Sequence, residues 1–260
     1  MAQVVVIKIG GSTFNSGDTT LEDLVALQKT GLSVVAVHGG GDLITEWLDK
    51  MSIQTTFLGG FRVTDEAALR VVVAVLAGLV NKELVAAVNG LGGRAFGLSG
   101  ADGSLIEAHI KDDRLGLVGE VTKVNVEILD AIFMAGFLPL VAPIGWKLPS
   151  ARTKAVLLNL NGDTLAGAIA AAMEAERLVF LTDVDGVMDK EGELMAELSV
   201  ARARDLVTSR VIAKGMIPKV EACLAAVKKA RVVRIINGTV PHALLSEMQG
   251  RARGTTIVKV

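Results

Sequence analysis

A single cysteine, Cys223, is present in this 260-residue sequence, and one cysteine excludes an intrachain disulfide. An excess of charge of one sign is also lacking, because 27 basic and 28 acidic residues leave a formal net charge of −1. That balance excludes the strongly basic surface of a general nucleic-acid-binding protein. The longest apolar run, residues 71–80, is too short by itself to cross a bilayer, and no signal-peptide pattern opens the chain. These absences predict a cytoplasmic protein with neither a membrane nor a nucleic-acid partner.

What is present is a regular alternation of apolar runs with helix-like segments, in a sequence that is 51% apolar. Residues 4–9, 33–38 and 178–182 are typical of buried strands, and each is followed by glycines or by an acidic turn. Such alternation predicts an α/β fold with a mostly parallel central sheet and helices on both faces. The carboxyl ends of the strands would then face one crevice, where ligands bind in sheets of this kind.

Two other segments carry local signals. Residues 104–124 favour a hairpin with a polar turn near residues 112–114. The apolar segment that follows Thr64 favours a long helix over residues 64–88, with the Thr64 hydroxyl as its N-cap.

The segment KIGGS places Lys8 close to the end of the first strand, just before Gly10 and Gly11. A lysine buried without a partner is costly, whereas a lysine beside glycine amides can hold phosphate oxygens. The P-loop pattern GxxxxGK[ST] is absent from the sequence. The alternative is an edge-strand lysine followed by a plain turn.

The segment HGGGD, residues 38–42, follows the second strand and precedes a helix. Consecutive glycines at a helix N-terminus can bring backbone amides to an anion, although they also form ordinary loops. His38 is predicted to be hydrogen-bonded structure rather than a catalytic base, which is the commoner role of a lone histidine at a strand end.

Two further segments carry groups suited to an anionic ligand. Arg62 directly precedes the long helix, where its guanidinium could grip a carboxylate or, equally, form a salt bridge with Asp65 or Glu66. The segment NLNGDT carries Asn159 and Asp163 at a strand-to-helix junction, and Asp163 is either an N-cap or a buried carboxylate that orients lysines.

The last two segments are ambiguous on their own. TDVDGV, residues 182–187, is typical of acidic turns that contact ribose or metal, and also of ordinary turns. In GMIPK, Lys219 lies in the first turn of a predicted helix, a place where lysines are most often solvated.

The order of the six motifs is more informative than any one of them. K-x-G-G, HGGG, G-x-R-x-T, N-x-N-x-D, T-D-V-x-G-V and G-M-x-x-K follow one another as they do in the amino acid kinase family, which the whole chain resembles. The resemblance implies a three-layer α/β/α sandwich of the carbamate kinase type. Within the family, the chain is most similar to members that use ATP to phosphorylate the side-chain carboxylate of N-acetyl-L-glutamate in arginine biosynthesis.

The resemblance also implies roles for individual residues. Lys8 and Lys219 would stabilise the transferring phosphoryl group, and Asp163 would hold both lysines. The residues implied for acceptor binding are Gly40, Gly41, Arg62 and Asn159, with Arg62 on the α-carboxylate. The residues implied for nucleotide binding are Gly10, Gly11, Thr182, Asp183, Val184, Asp185, Gly186, Val187, Met188, Val211, Ile212, Ala213 and Met216.

This chemistry fits the residue inventory. An acceptor carboxylate is ionised at neutral pH, so no general base is required, and positioning with charge neutralisation suffices. The resemblance implies ATP and nucleotide-bound Mg²⁺, without a dedicated protein metal site. The resemblance further implies an acceptor-binding and dimerisation lobe over residues 1–172, a nucleotide lobe over 173–260, and a homodimer formed through the helix 64–88.

Regulation and substrate leave alternatives open. Only three residues precede the first strand, so we expect neither the N-terminal helix of the hexameric family members nor their inhibition by arginine. A related kinase that acts on aminoadipate or glutamate attached to a carrier protein is the main rival, and Arg70, Arg94 and Lys111 could form its basic docking rim. A non-catalytic small-molecule-binding protein on the same fold is the third alternative.

Overall fold

Among the described residues, the fold is built on one large sheet, one small closed sheet and one two-stranded hairpin. The computed structural model describes residues 3–10, 18–149, 156–212 and 216–259. Two of the residues assigned to the nucleotide site, Gly11 and Ala213, lie outside these ranges. The strands, numbered in chain order, are β1 (Val4–Ile9), β2 (Ser33–His38), β3 (Phe57–Leu58), β4 (Phe61–Arg62), β5 (Ala95–Ser99), β6 (Ile106–Ile110), β7 (Val118–Val124), β8 (Leu138–Ala142), β9 (Ile144–Lys147), β10 (Val156–Leu160), β11 (Arg177–Thr182), β12 (Glu197–Ser199), β13 (Val232–Asn237) and β14 (Gly254–Val258).

The helices follow the strands in the alternation that the sequence predicts. They are α1 (Thr20–Lys29), α2 (Gly41–Lys50), α3 (Glu66–Val73), α4 (Asn81–Gly90), α5 (Val126–Met134), α6 (Gly162–Ala172), α7 (Val200–Thr208), α8 (Met216–Ala226) and α9 (Ala243–Met248). A π-helical segment, Ala74–Val80, joins α3 to α4 without a break.

The large sheet has eight strands in the order β12-β14-β13-β11-β1-β2-β8-β5. All of its neighbouring pairs are parallel except β13 with β14. Successive residues of β1 face opposite sides, so that Val6 joins the hydrophobic core beneath α6 and α8, while Val5 and Ile7 join the core beneath α1 and the helices that follow α2. The predicted three-layer α/β/α sandwich with a mostly parallel sheet is confirmed.

The small sheet is a closed arrangement of β10, β7, β6 and β9 that stands over the carboxyl end of the large sheet. Its β6–β7 pair is the hairpin predicted for residues 104–124, with a 3-10 turn at Asp113–Leu115. The pairing of β10 with β7 and β9 was not predicted. It places Asn159 beside Val118 and Ile144.

The predicted start of the long helix was wrong by two residues. The helix begins at Glu66, and its N-cap is Asp65, whose side chain accepts a hydrogen bond from the Ala68 N–H. The Thr64 hydroxyl donates to the Arg62 carbonyl and accepts from the Asn159 side chain instead. The Thr64 side chain therefore bonds to Asn159, which is distant in sequence, and does not cap the helix as its local position predicted.

The helix from Glu66 to Gly90 is 25 residues long and contains an 18-residue window with a mean hydropathy of 2.0, and among the described residues it alone is long and apolar enough to span a membrane. The run 71–80 was predicted to be too short, but the whole helix meets the length criterion. Val72, Val75 and Leu76 are buried against the large sheet, as is typical of the apolar face of a helix that packs in a protein core.

Candidate active site

Three charged side chains meet at the centre of the carboxyl edge of the large sheet. Lys8 reaches it from β1, Asp163 from the first turn of α6 and Lys219 from α8. The Lys8 Nζ lies 2.7 Å from one Asp163 carboxylate oxygen, and the Lys219 Nζ lies 3.2 Å from the other. The structure thus brings together the three residues that the sequence analysis assigned to charge stabilisation.

These groups are almost removed from water, since Lys8, Asp163 and Lys219 are 7%, 8% and 8% exposed. Burial opposes ionisation of Asp163, but the two lysines outweigh it and hold the pKa of this carboxyl below its ordinary value. Burial lowers the pKa of Lys8, while Asp163 acts in the opposite direction. Two cations beside one carboxylate carry a net positive charge, so the cluster is suited to attract an anion.

The local sequence explains why Asp163 is free for this role. Asn161 is the N-cap of α6, and its side-chain oxygen accepts hydrogen bonds from the N–H groups of Asp163 and Thr164. Gly162 lies beside Lys8, because a Cβ at this glycine would be 3.0 Å from the Lys8 Cε. The lysine can therefore pass over the helix N-terminus and reach the carboxylate.

Arg62 closes the opposite end of the site. Its Nη2 donates to the Gly41 carbonyl at 2.9 Å and to the Thr45 hydroxyl at 2.8 Å. Its Nη1 donates to the Thr55 hydroxyl at 3.3 Å. A guanidinium carries five N–H donors, so these bonds do not exhaust it. Burial lowers the pKa of Arg62 without changing its charge at neutral pH.

Of the two readings left open for Arg62, the structure favours the ligand-facing one. Asp65 is used as the cap of α3, and the guanidinium lies over the Phe57 ring at 4.8 Å from its centroid. Arg62 also lines the cavity described next. Asn159 faces the same space from β10, with its side-chain amide held by the Thr64 hydroxyl at 3.0 Å.

A cavity of about 200 Å³ joins the two ends of the site. Of the predicted residues, Lys8, Gly40, Gly41, Arg62, Asn159 and Asp163 line it. The loop Gly39–Gly41 forms one wall where β2 passes into α2, and Gly40 adopts a φ of +152° that favours glycine. The space has the size of a small amino acid derivative, with one cationic group at each end.

Of the residues assigned to the nucleotide, those that the structure describes do not line this cavity. The segment 182–188 begins at the carboxyl end of β11, the strand that pairs with β1, and Lys8 is in register with Phe180. Val187 and Ile212 belong to the hydrophobic core, so only their backbone groups could meet a ligand. Val211 and Met216 are partly buried, and Gly10 directly follows β1.

Polar groups of the segment are bonded within the chain. The Thr182 hydroxyl donates to Asp183 at 3.1 Å, and Asp185 accepts from the Asn237 amide at 2.9 Å. Gly186 has a φ of +153°, and a Cβ there would lie 2.5 Å from the Thr255 hydroxyl. Met188 forms an isolated bridge with Leu194, and Val184 is exposed. The nucleotide roles of these residues remain predictions.

Several residues of the site were missed by sequence reasoning. Thr45 and Thr55 hold the Arg62 guanidinium, and Phe57 and Phe61 line the cavity from the short β3–β4 hairpin. Threonines and phenylalanines are common in any fold, and nothing in their spacing marked them. The Gly59–Gly60 turn between the two phenylalanines was the only local signal of this hairpin.

Comparison with known proteins identifies the family of this chain. A sequence profile described as the amino acid kinase family matches residues 3–237. The chain belongs to the amino acid kinase family. Membership, predicted from six ordered motifs, is thereby confirmed, and the matched range contains Lys8, Asp163 and Lys219.

Within the amino acid kinase family, the chain is 43% identical to an acetylglutamate kinase of Dehalococcoides mccartyi over 98% of this chain and 94% of the relative. It is 45% identical to an acetylglutamate kinase of a Ruegeria species over 94% of this chain and 85% of the relative. A crystal structure of the protein smu.665 from Streptococcus mutans UA159 matches it with a TM-score of 0.85 at 26% identity, over 100% of both chains.

Proposed function

We propose that this protein transfers the γ-phosphoryl group of ATP to the side-chain carboxylate of N-acetyl-L-glutamate, giving N-acetyl-L-glutamyl 5-phosphate for arginine biosynthesis. The observation that carries the proposal is the Lys8–Asp163–Lys219 cluster, which faces a cavity that ends at Arg62. The extended similarity to two acetylglutamate kinases supports the choice of acceptor.

The geometry suggests how the acceptor is held. Its α-carboxylate pairs with the guanidinium of Arg62, since this residue retains N–H donors beyond those bonded to Gly41, Thr45 and Thr55. The side chain of Asn159 contacts the bound acceptor from β10. The side-chain carboxylate of the substrate then points at Lys8, where it meets the γ-phosphorus of ATP.

The reaction needs no proton transfer. The acceptor carboxylate is ionised at neutral pH and attacks the γ-phosphorus directly, the bond from that phosphorus to the β–γ bridging oxygen breaks, and ADP leaves. Lys8 and Lys219 neutralise the charge that builds on the transferring phosphoryl group. Asp163 keeps the two ammonium groups at a fixed separation. Gly40 and Gly41 supply amide donors at the N-terminus of α2, where the helix dipole favours an anion.

ATP is proposed to occupy the crevice beyond the carboxyl ends of β1 and β11, with its contacts from the residues already assigned to it. The residues that the structure describes contain no cluster of three or more His, Cys, Asp or Glu. We propose that Mg²⁺ arrives on the ATP phosphates and would supply further charge neutralisation there.

The carrier-protein rival is disfavoured by the positions of its three candidate cations. Lys111 is paired with Glu120 at 3.0 Å. Arg94 precedes β5 and stacks on Phe137, which puts it at the amino end of the sheet, away from the cavity. Arg70 is exposed on α3. Among the described residues, these three do not form one basic rim around the acceptor mouth.

A non-catalytic binding protein is disfavoured by the central cluster. Burying two lysines on one carboxylate costs desolvation energy. Binding of a neutral or weakly charged ligand does not require these buried charges. A phosphoryl-transfer enzyme does require them, because the cationic groups act only when the charge develops.

The lobes and the dimer remain proposals. We assign residues 1–172 to acceptor binding and dimerisation and residues 173–260 to the nucleotide, although both share one sheet. The helix over 66–90 turns most of its apolar side chains inward and leaves Ala74 and Gly78 exposed, with Val73, Ala77 and Leu79 partly exposed. A second copy is proposed to pack there. Light scattering would give twice the monomer mass of 27.1 kDa if it does.

The function is tested by trapping the acyl phosphate with hydroxylamine. Purified protein is supplied with ATP, Mg²⁺ and either N-acetyl-L-glutamate, L-glutamate or L-aspartate, with reactions lacking ATP as controls. We expect ATP-dependent hydroxamate with N-acetyl-L-glutamate and at least ~10²-fold less with the other acids, because a buried site discriminates strongly against a missing or added polar group. Equal rates with all three acids, or no product with any, would contradict the proposal.

A further inference from the structure

A buried polar pair lies behind the glycine loop and outside the cavity. His38 is the last residue of β2, and Asn81 is the first residue of α4, directly after the π-helical segment. Both are 0% exposed, and neither lines the cavity. Side chains of this kind are retained inside a core only when their hydrogen bonds are made, so each bond of the pair is informative.

The partners fix the state of the imidazole. The His38 Nδ1 is 2.8 Å from the Gly39 carbonyl oxygen, which can only accept, so Nδ1 carries the proton. The Asn81 Nδ2 lies 2.8 Å from the Leu140 carbonyl oxygen, which assigns the amide orientation. The same Nδ2 is 3.2 Å from the His38 Nε2, which must therefore accept. His38 is a neutral imidazole that donates on one side and accepts on the other.

The network reaches the two strands that follow β2 in the large sheet, β8 and β5. The Asn81 Oδ1 accepts from the Lys82 ammonium at 2.9 Å, and Lys82 also donates to the Gly97 carbonyl on β5. A Cβ at Gly97 would lie 2.2 Å from the Asn81 Oδ1, so only glycine leaves room for this amide. Through Asn81, the glycine loop is connected to β8 and β5, the two strands at one edge of the large sheet.

The loop itself is held between this pair and the site. The Gly39 N–H donates to the Ile9 carbonyl at 3.1 Å, while its own carbonyl is held by His38. A Cβ at Gly40 would lie 2.8 Å from Leu76 on the π-helical segment. On the other side, the Gly41 carbonyl accepts from Arg62. Movement of the His38 ring would therefore shift the wall of the cavity that faces Arg62.

We propose that His38 and Asn81 are positioning residues, which hold the loop Gly39–Gly41 in the geometry needed for phosphoryl transfer through one donated and one accepted hydrogen bond of a neutral imidazole. The inference rests on the proposed function of the same site. The pKa of His38 is lowered to about 4, mainly by burial; the Gly39 carbonyl acts in the opposite direction, and Lys8 and Lys82 add to the lowering, so the ring stays neutral at physiological pH.

Two isosteric variants separate the two bonds of the ring. His38→Asn places an amide donor near the position of Nδ1 and can keep the bond to Gly39. His38→Gln reaches the position of Nε2 and can keep the bond to Asn81, but it releases Gly39. We expect His38→Gln to lower kcat by about 10-fold with both KM values within about 3-fold of wild type, because a small misplacement of groups at the reacting centre costs rate rather than binding. His38→Asn keeps the bond to Gly39 and loses only the bond from Asn81, so it should lower kcat less, by about 3-fold.

Glu247→Gln is the matched control. Glu247 is also buried and is bonded to Arg177 and Arg234, but it lies on α9, away from the cavity. This variant should lose stability without losing kcat per folded molecule. If Glu247→Gln and His38→Gln lower kcat equally, or if His38→Gln keeps wild-type kcat, the positioning role is wrong. If wild-type protein itself forms no acyl phosphate, the proposed function fails before the inference is reached.

Asn81→Asp provides a second test in case the His38 variants fold poorly. A carboxylate at this position removes both amide donors and favours a protonated ring at His38. The pKa of His38 should then rise towards neutrality, against the opposing charges of Lys8 and Lys82. We expect kcat of Asn81→Asp to fall as the pH is lowered from about 8 to about 6, while that of the wild type stays level. Parallel pH profiles, with kcat near wild type, would overturn the proposal.

Discussion

The two sides of the crevice, the proposed acceptor side and the proposed nucleotide side, are built in different ways. On the acceptor side, charged groups are buried and held from several elements, as Asp163 holds Lys8 and Lys219, and Gly41 holds Arg62. On the nucleotide side, Asp183 and Val184 are exposed, and the polar groups nearby bond mostly to one another. A desolvated, pre-positioned charge cluster is what stabilisation of a transition state requires, whereas an open segment can bind through its backbone.

This difference teaches where substitutions should matter. A change on the acceptor side leaves a charge buried without its partner, because water cannot replace what was lost. A change of an exposed side chain on the nucleotide side is compensated by solvent. Isosteric substitutions on the two sides should therefore have unequal effects, and the variants below are ordered by the size of the effect that we expect.

Asp163→Asn should have the largest effect. It leaves two buried ammonium groups without their carboxylate, which we expect to cost about 3–5 kcal/mol in the free energy of unfolding. The lysines should also separate, and kcat should fall by about 10³-fold or more. Urea unfolding and the hydroxamate assay measure the two quantities. A variant with wild-type stability would show that the cluster is solvated in the protein.

The same carboxyl makes stability depend on pH. Because the pKa of Asp163 is lower in the folded protein than its ordinary value of 3.8, its contribution to stability is complete above that value and is lost as the pH falls through the folded pKa. The difference in unfolding free energy between wild type and Asp163→Asn should therefore narrow as the pH is lowered from about 5 to about 2. If this difference instead widened as the pH was lowered, the pKa of Asp163 would be raised, not lowered, in the folded protein.

Arg62→Lys should have the next largest effect. An ammonium cannot reproduce the planar fork that reaches Gly41, Thr45 and a substrate carboxylate together. We expect KM for N-acetyl-L-glutamate to rise by about 30-fold or more, and KM for ATP to change by less than about 3-fold. Equal changes in both KM values would mean that Arg62 supports the whole crevice rather than the acceptor end.

Gly162→Ala tests the placement of Lys8 without removing any charge. The new Cβ would lie 3.0 Å from the Lys8 Cε and 3.4 Å from the His38 carbonyl oxygen, so the lysine must move by a few tenths of an ångström. We expect kcat to fall by about 10-fold with little loss of stability, since alanine favours the helix. Gly90→Ala, which meets nothing within 4 Å, is the control and should keep wild-type kcat.

Asp185→Asn should have the smallest effect and completes the comparison. It is chemically the same change as Asp163→Asn, but Asp185 is only partly buried and is bonded to the Asn237 side chain. Solvent can replace much of what is lost, so KM for ATP and kcat should each stay within about 3-fold of wild type. A loss of kcat comparable to that of Asp163→Asn would remove the distinction between the two sides.

Much of this architecture could be predicted from the sequence. Strand–helix alternation and glycines after strands gave the parallel sheet and the edge at which Lys8, Asp163 and Lys219 meet. These three residues are far apart along the chain, so their proximity followed from the rule that strand ends share one edge, together with the order of the family motifs. His38 was correctly predicted to be hydrogen-bonded structure, although its partner Asn81 could not be foreseen.

What could not be predicted depends on partners that are distant in sequence. Thr64 has the local signature of an N-cap, but its hydroxyl accepts a hydrogen bond from Asn159, and Asp65 is the N-cap instead. The pairing of β10 with β7 and β9 joins short strands whose sequences carry no mark of their partners. The π-helical segment over Ala74–Val80 was not predicted either, and its Leu76 and Val80 lie close to Gly40 of the glycine loop.

The central claim is that Lys8 and Lys219 act on the transferring phosphoryl group and not on the binding of the ground-state substrates. The most direct measurement is kcat for Lys8→Ala and Lys219→Ala at saturating ATP and N-acetyl-L-glutamate, beside the Kd of each substrate from calorimetry. We predict that kcat falls by about 10²-fold or more in both variants, while each Kd changes by less than about 5-fold. A kcat within about 3-fold of wild type in either variant would contradict the claim.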